Sequence, residues 1–121
     1  MPLVGTCHCK ATRFEVDSPP TDVKSCTCSI CSRRGALWAY YTPDQVRFVS
    51  EASGAIYQWQ TELVKFHHCA VCGCTTYNTM PDFSTGKPDF SKSWVAVNAR
   101  LFEDFDLAKI PVEVIDGKNL W

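Results

Sequence analysis

Apolar residues in this chain recur at every second position over short runs. Thr12-Arg13-Phe14-Glu15-Val16 and Val46-Arg47-Phe48-Val49 alternate in polarity. Leu37-Trp38-Ala39-Tyr40-Tyr41, Ala55-Ile56-Tyr57-Gln58-Trp59, Leu63-Val64-Lys65-Phe66-His67 and Trp94-Val95-Ala96-Val97-Asn98 are rich in β-branched and aromatic residues. A period of two in such residues predicts half-buried strands. Turn signals separate the runs, among them Ser18-Pro19-Pro20, Thr42-Pro43-Asp44, Ala52-Ser53-Gly54, Gly86-Lys87-Pro88-Asp89 and Asp116-Gly117. No stretch carries the apolar spacing of a three-turn helix. Thr42 to Gln45 and Glu103 to Ala108 are each expected to hold one short helical turn. Pro81 to Ser93 reads as an exposed loop whose Phe83 and Phe90 pack back onto the core. The pattern as a whole predicts an all-β fold of many short strands.

The length of 121 residues fits one domain spanning residues 1–121. A net charge of -1 gives no electrostatic reason to expect nucleic acid or an anionic membrane as partner. No apolar run approaches the roughly 20 residues of a membrane span. The first residues carry no basic region followed by an apolar stretch, so no signal peptide is expected. A cytoplasmic location follows as the expectation, and thiols stay reduced there.

Cysteine changes the picture, with eight in 121 residues. In a reducing compartment such a count points to metal before disulfides. The cysteines form three clusters: Cys7-His8-Cys9, Cys26-Thr27-Cys28-Ser29-Ile30-Cys31 and Cys69-Ala70-Val71-Cys72-Gly73-Cys74. Zinc binds thiolates at about 2.3 Å in a tetrahedron, which puts two of its sulfurs roughly 3.8 Å apart. A C-x-C pair on an extended strand sends both side chains to one face. A C-x-x-C turn followed by glycine wraps backbone around an ion, and Gly73 supplies the freedom that such a turn needs. Pairing these two units makes Cys7, Cys9, Cys69 and Cys72 a closed structural zinc site. Cys26, Cys28 and Cys31 then form a second zinc site with one open position, the pattern of a reactive metal. Cys74 is left over, either as a buried small side chain or as the fourth ligand of the second site. Two zinc ions per chain are expected, one structural and one labile. Three thiolates make a zinc poorly electrophilic and better suited to a sulfur nucleophile than to hydrolysis.

Taken together, Gly5-Thr6-Cys7-His8-Cys9, Phe14-Glu15-Val16, the Cys26–Cys31 triplet with Arg33-Arg34-Gly35-Ala36, Cys69-Ala70-Val71-Cys72-Gly73, Val97-Asn98-Ala99-Arg100 and Ile115-Asp116-Gly117 resemble the glutathione-dependent formaldehyde-activating enzyme family, which includes centromere protein V. The resemblance runs over nearly the whole chain. It implies a β-tent fold of several small coiled antiparallel sheets and the same two zinc sites. It also implies the chemistry of a carbon–sulfur lyase, which joins formaldehyde and glutathione into S-hydroxymethylglutathione. Lys10 stands where the family commonly carries glycine, and Cys74 where serine or threonine is usual.

Around the open site, Arg33 and Arg34 are placed to bind a substrate carboxylate. Trp38, Tyr40 and Tyr41 lie on the next strand, where one face can wall a pocket. Asn98 and Arg100 share a face and are candidates for its lining. His8, His67 and His68 adjoin cysteines, as alternative ligands or, for the latter two, as proton carriers. Two functions follow. The first is an enzyme or carrier acting on a thiol–aldehyde adduct of the glutathione type at Cys26, Cys28 and Cys31. The second is a non-catalytic zinc-stabilised interaction module. A nucleobase deaminase is excluded because no glutamate is correctly placed before Cys69.

Overall fold

The alternation at Thr12–Val16 folds as a strand with Thr12, Phe14 and Val16 buried and the residues between them half-buried. The computed structural model describes residues 2–59 and 63–120. Strand β2(Thr12–Val16) lies between β1(Leu3–Thr6) and β5(Val46–Glu51) in a three-stranded antiparallel sheet. A second, seven-stranded sheet runs in the order β10(Val112–Ile115), β3(Val23–Cys26), β4(Trp38–Tyr41), β9(Asp89–Asn98), β8(Thr75–Asp82), β7(Lys65–Cys69), β6(Gly54–Tyr57). Its pairs are antiparallel except for β10 on β3, which is parallel. The all-β expectation holds.

Between the sheets lies one apolar core built on Phe14, Val16, Val23, Ala39, Tyr41, Tyr77, Val95, Val97 and Phe102. Phe14 meets Phe102 edge-on with ring centroids 5.8 Å apart, a preferred geometry for aromatic pairs. A second cluster gathers Cys26, Cys28, Cys31, Ala36, Trp38, Phe66 and Ala96, with Ile30, Trp59, Val64, Met80 and Ile115 packed against it.

Helical structure is limited to short pieces: α1(Ser29–Arg34), α2(Gly117–Leu120) and three 3₁₀ turns. One turn, Pro43–Gln45, falls where the sequence places it, opened by a capping box between Thr42 and Gln45. The turn expected over Glu103 to Ala108 forms later, at Leu107–Lys109, where the Asp106 side chain accepts from the Ala108 N–H. None of these helices is long and apolar enough to cross a membrane.

Two expectations are corrected. Pro81 to Ser93 is mostly strand rather than loop: β8 runs through Asp82, β9 begins at Asp89, and only residues 83–88 connect them. Pro81 is accommodated because the register shifts between Pro81 and Asp82, and proline has no N–H to give to a ladder. Phe83 and Phe90 do not pack onto the core; they are 41% and 73% exposed.

Candidate metal centres

The first group grows from two turns. After β1, Cys7 and Cys9 bracket a tight turn in which the Lys10 N–H donates to the Cys7 carbonyl at 3.1 Å. Lys10 takes φ +68°, a left-handed conformation that suits glycine. The opposing turn follows β7. There Gly73, at φ +81°, donates its N–H to the Cys69 carbonyl at 2.8 Å and brings Cys72 round to face Cys69. The sulfurs of Cys7 and Cys9 are 3.7 Å apart and those of Cys9 and Cys69 3.6 Å, close to the spacing of ligands on one tetrahedral zinc. All four sulfurs, Cys72 included, lie within 4.8 Å of one another. Backbone donors point at them. The Thr12 N–H reaches the Cys7 sulfur at 3.3 Å. The amides of Cys9 and then Cys74 favour the Cys72 thiolate and lower that thiol to about 5. A closed four-thiolate set with amide donors fits a structural zinc.

The second group sits where β3 gives way to α1. Cys26 is the last residue of β3, and Cys28 caps α1, its sulfur accepting from the Cys31 N–H at 3.5 Å. The helix stops after six residues because Gly35 turns left-handed at φ +67° and bonds back to the Cys31 carbonyl. This strand–cap–turn sequence gathers three sulfurs within 4.8 Å of one another, at 8%, 2% and 7% exposure. Cys26 is drawn down to about 6, chiefly because Cys31 donates to it, with the amides of Cys28 and Gly117 adding to the effect against burial. Cys31 is pushed up as the donor. The indole nitrogen of Trp38 is buried with no oxygen or nitrogen partner, and it favours the thiolate of Cys31. These features fit a thiolate-bound metal. Among the described residues no histidine, carboxylate or fourth cysteine completes the group. Cys74 does not join it; that sulfur neighbours Cys72 and the His8 amide instead.

The remaining sequence candidates divide. Trp38 packs directly against the triplet. Arg34, Asn98 and Arg100 line one cavity of about 410 Å³ together with His68, Cys74 and Thr75. Arg34 stacks over Tyr57 at 5.8 Å and leaves a buried Nη1 without a partner, as His68 leaves its Nδ1. Arg100 donates from Nε to the Gly35 carbonyl at 2.8 Å. Asn98 is committed to structure: its Nδ2 donates to the Thr75 carbonyl and its Oδ1 accepts from the Arg100 N–H. Arg33 turns back onto its own helix, donating to the Ser29 carbonyl. His67 stacks on Tyr77 with ring centroids 3.9 Å apart, and His8 is exposed. Tyr40 and Trp38 line a second cavity of about 250 Å³. Burial, followed by the charges of Cys26 and Cys31, raises Tyr40 to about 12, so its hydroxyl keeps its proton at neutral pH.

Sequence reasoning gave Gly117 no role at the site. A β-carbon added there would lie 2.6 Å from the Cys26 sulfur and 2.8 Å from the Cys28 β-carbon. Its only sequence signal is the Asp116-Gly117 pair, which reads as a plain turn.

Comparison with known proteins places this geometry. The family model described as glutathione-dependent formaldehyde-activating enzyme matches residues 2–107. No curated protein matches the chain significantly. A crystal structure of a Rhodobacter sphaeroides protein is similar, at 30% identity and a TM-score of 0.71, over 90% of this chain and 98% of that one.

Proposed function

Because the chain belongs to the glutathione-dependent formaldehyde-activating enzyme family, we propose that it takes a glutathione-type thiol, or that thiol's adduct with an aldehyde, at Cys26, Cys28 and Cys31, and makes or breaks the adduct's carbon–sulfur bond. The sulfur triplet carries this reading: three buried sulfurs within 4.8 Å and no fourth protein ligand among the described residues. A zinc ion held there would supply a soft Lewis acid that favours a sulfur donor over water.

The other roles fall to side chains. Trp38, Phe66 and Ala96 form apolar walls that keep bulk water from the sulfurs. Arg34 and Arg100, in the larger cavity, suit the carboxylates of a peptide thiol. Tyr40, protonated beside the triplet, is the hydrogen-bond donor for the aldehyde oxygen. In the forward direction the thiol sulfur bonds to the carbonyl carbon, and the carbonyl π pair moves to oxygen. The proton leaving sulfur ends on that oxygen, and no oxidant or reductant enters. All eight cysteines are unpaired, in keeping with a reducing compartment such as the cytoplasm.

The depth of the triplet favours a second reading, a zinc-stabilised interaction module. Calorimetric titration with glutathione and with S-methylglutathione separates the two. The lyase reading expects glutathione to bind, S-methylglutathione to bind weakly, and Cys28→Ser to abolish the difference. Glutathione binding that survives Cys28→Ser unchanged would sink it, and no binding at all would favour the module.

A further inference from the structure

Strand β10 and the turn after it lie beyond the stretch that the family model matches, which ends at residue 107. They nevertheless cover the second group of sulfurs. In the parallel register of β10 on β3, Ile115 sits beside Cys26. Thr27, between two of the cysteines, fastens the segment on both sides. Its N–H donates to the Ile115 carbonyl at 3.0 Å, and its hydroxyl oxygen accepts the Lys118 N–H at 3.1 Å.

Gly117 is thereby laid on the sulfurs. It is buried between exposed neighbours, Asp116 and Lys118. Its φ lies outside the left-handed region, so glycine is not required for backbone conformation. Space is what requires it. A β-carbon would meet the Cys26 sulfur at 2.6 Å, the Cys28 β-carbon at 2.8 Å and the Cys28 nitrogen at 3.0 Å. Relief would have to come from moving Cys28, which caps α1, or from lifting β10 off β3.

We propose that residues 112–118 form a strap that completes the second metal centre, with Gly117 as a positioning residue that holds Cys26 and Cys28 at ligand spacing. Groups that orient metal ligands typically change affinity 10–100-fold when removed. Binding linkage is reciprocal, so the metal steadies the strap as much as the strap steadies the metal.

The test uses the full chain loaded with zinc. A chromophoric chelator extracts the metal in steps, and Cys28→Ser identifies which step belongs to the second group. Gly117→Ala is expected to weaken the second metal by about tenfold or more, leaving the first metal and the far-ultraviolet circular dichroism unchanged. Thr27→Val loosens the strap without adding bulk and is expected to weaken the same metal by a smaller factor. In the wild-type chain, amide exchange at Thr27 and Lys118 should quicken when the second metal alone is withdrawn. Wild-type affinity for the second metal in Gly117→Ala, or equal weakening of both metals, would overturn the proposal. If Gly117→Ala does not fold, unchanged affinity in Thr27→Val overturns it. No thiol ligand enters this experiment, so its outcome is independent of the glutathione titration.

Discussion

Gly5 and Phe14 face each other across β1 and β2, and a β-carbon at position 5 would fall 2.3 Å from the Phe14 Cζ. The Phe14 ring is fully buried and cannot swing away, being held by Phe48 and Phe102. Gly5→Ala should therefore cost about 2 kcal/mol, as overpacking of a core does. Thermal unfolding should register a fall of roughly 10 °C in midpoint. An unchanged midpoint would mean that the two strands separate at little cost.

Lys10 predicts the opposite sign. Its left-handed backbone strains a residue that carries a β-carbon. Lys10→Gly should stabilise the chain by about 0.5–1 kcal/mol after the entropic cost of glycine is counted. Urea denaturation of the zinc-loaded protein measures this, and a destabilised variant would refute it.

The two sulfur groups should differ in their share of stability. The first ties the β1–β2 turn to the β7–β8 turn, with Cys9 and Cys69 separated by 60 positions in the chain. Cys69→Ser should cost about 4 kcal/mol or more, in the range where loss of a structural metal site falls. Cys28→Ser should cost clearly less, because the second group lies within one strand end and one helical turn. Comparing the two midpoints under equal zinc decides it, and a reversed order would make the triplet the structural centre.

Tyr40→Phe should leave thiol binding in place and slow adduct formation by about 100-fold, the scale of a lost proton donor. The assay is the aldehyde-dependent rate at saturating thiol. A rate that holds while affinity falls would make Tyr40 a binding residue instead.

Asp82 accepts hydrogen bonds from the Ser84 hydroxyl and the Trp94 indole, which hold its carboxyl below the ordinary 3.8. The unfolded state then binds a proton more readily than the folded one, so the stabilisation is present above the unfolded value and is lost as pH falls through the folded one. Wild type should exceed Asp82→Asn in denaturation midpoint at neutral pH. The gap should narrow from about pH 5 towards pH 3. A gap independent of pH would mean that charge on Asp82 has no part in it.

Much of this was legible in the residues. Strands such as Thr12–Val16 and Val46–Glu51 are half-buried, and half-burial writes itself as alternation. The two sulfur groups could be read from spacing alone, because their ligands come in local pairs or triplets. Strand β10 could not. Val112, Glu113 and Val114 are all exposed at a sheet edge, so no alternation marks them. The strand at Thr75–Asp82 was hidden by Pro81, which ordinarily argues against a sheet and here sits at a register shift. The crowding at Gly117 was invisible because its cause, Cys26, is about 90 positions away, and no local rule links the two.

That separation also orders events in time. As the chain emerges from the ribosome, the first four ligands are present once Cys72 has appeared. The residue that closes over Cys26 and Cys28 follows about 45 positions later, several seconds at ordinary rates of synthesis. In that interval Cys26, Cys28 and Cys31 are uncovered thiols while the other centre can already load. Zinc supply during translation, rather than affinity in the finished protein, then sets which centre fills first.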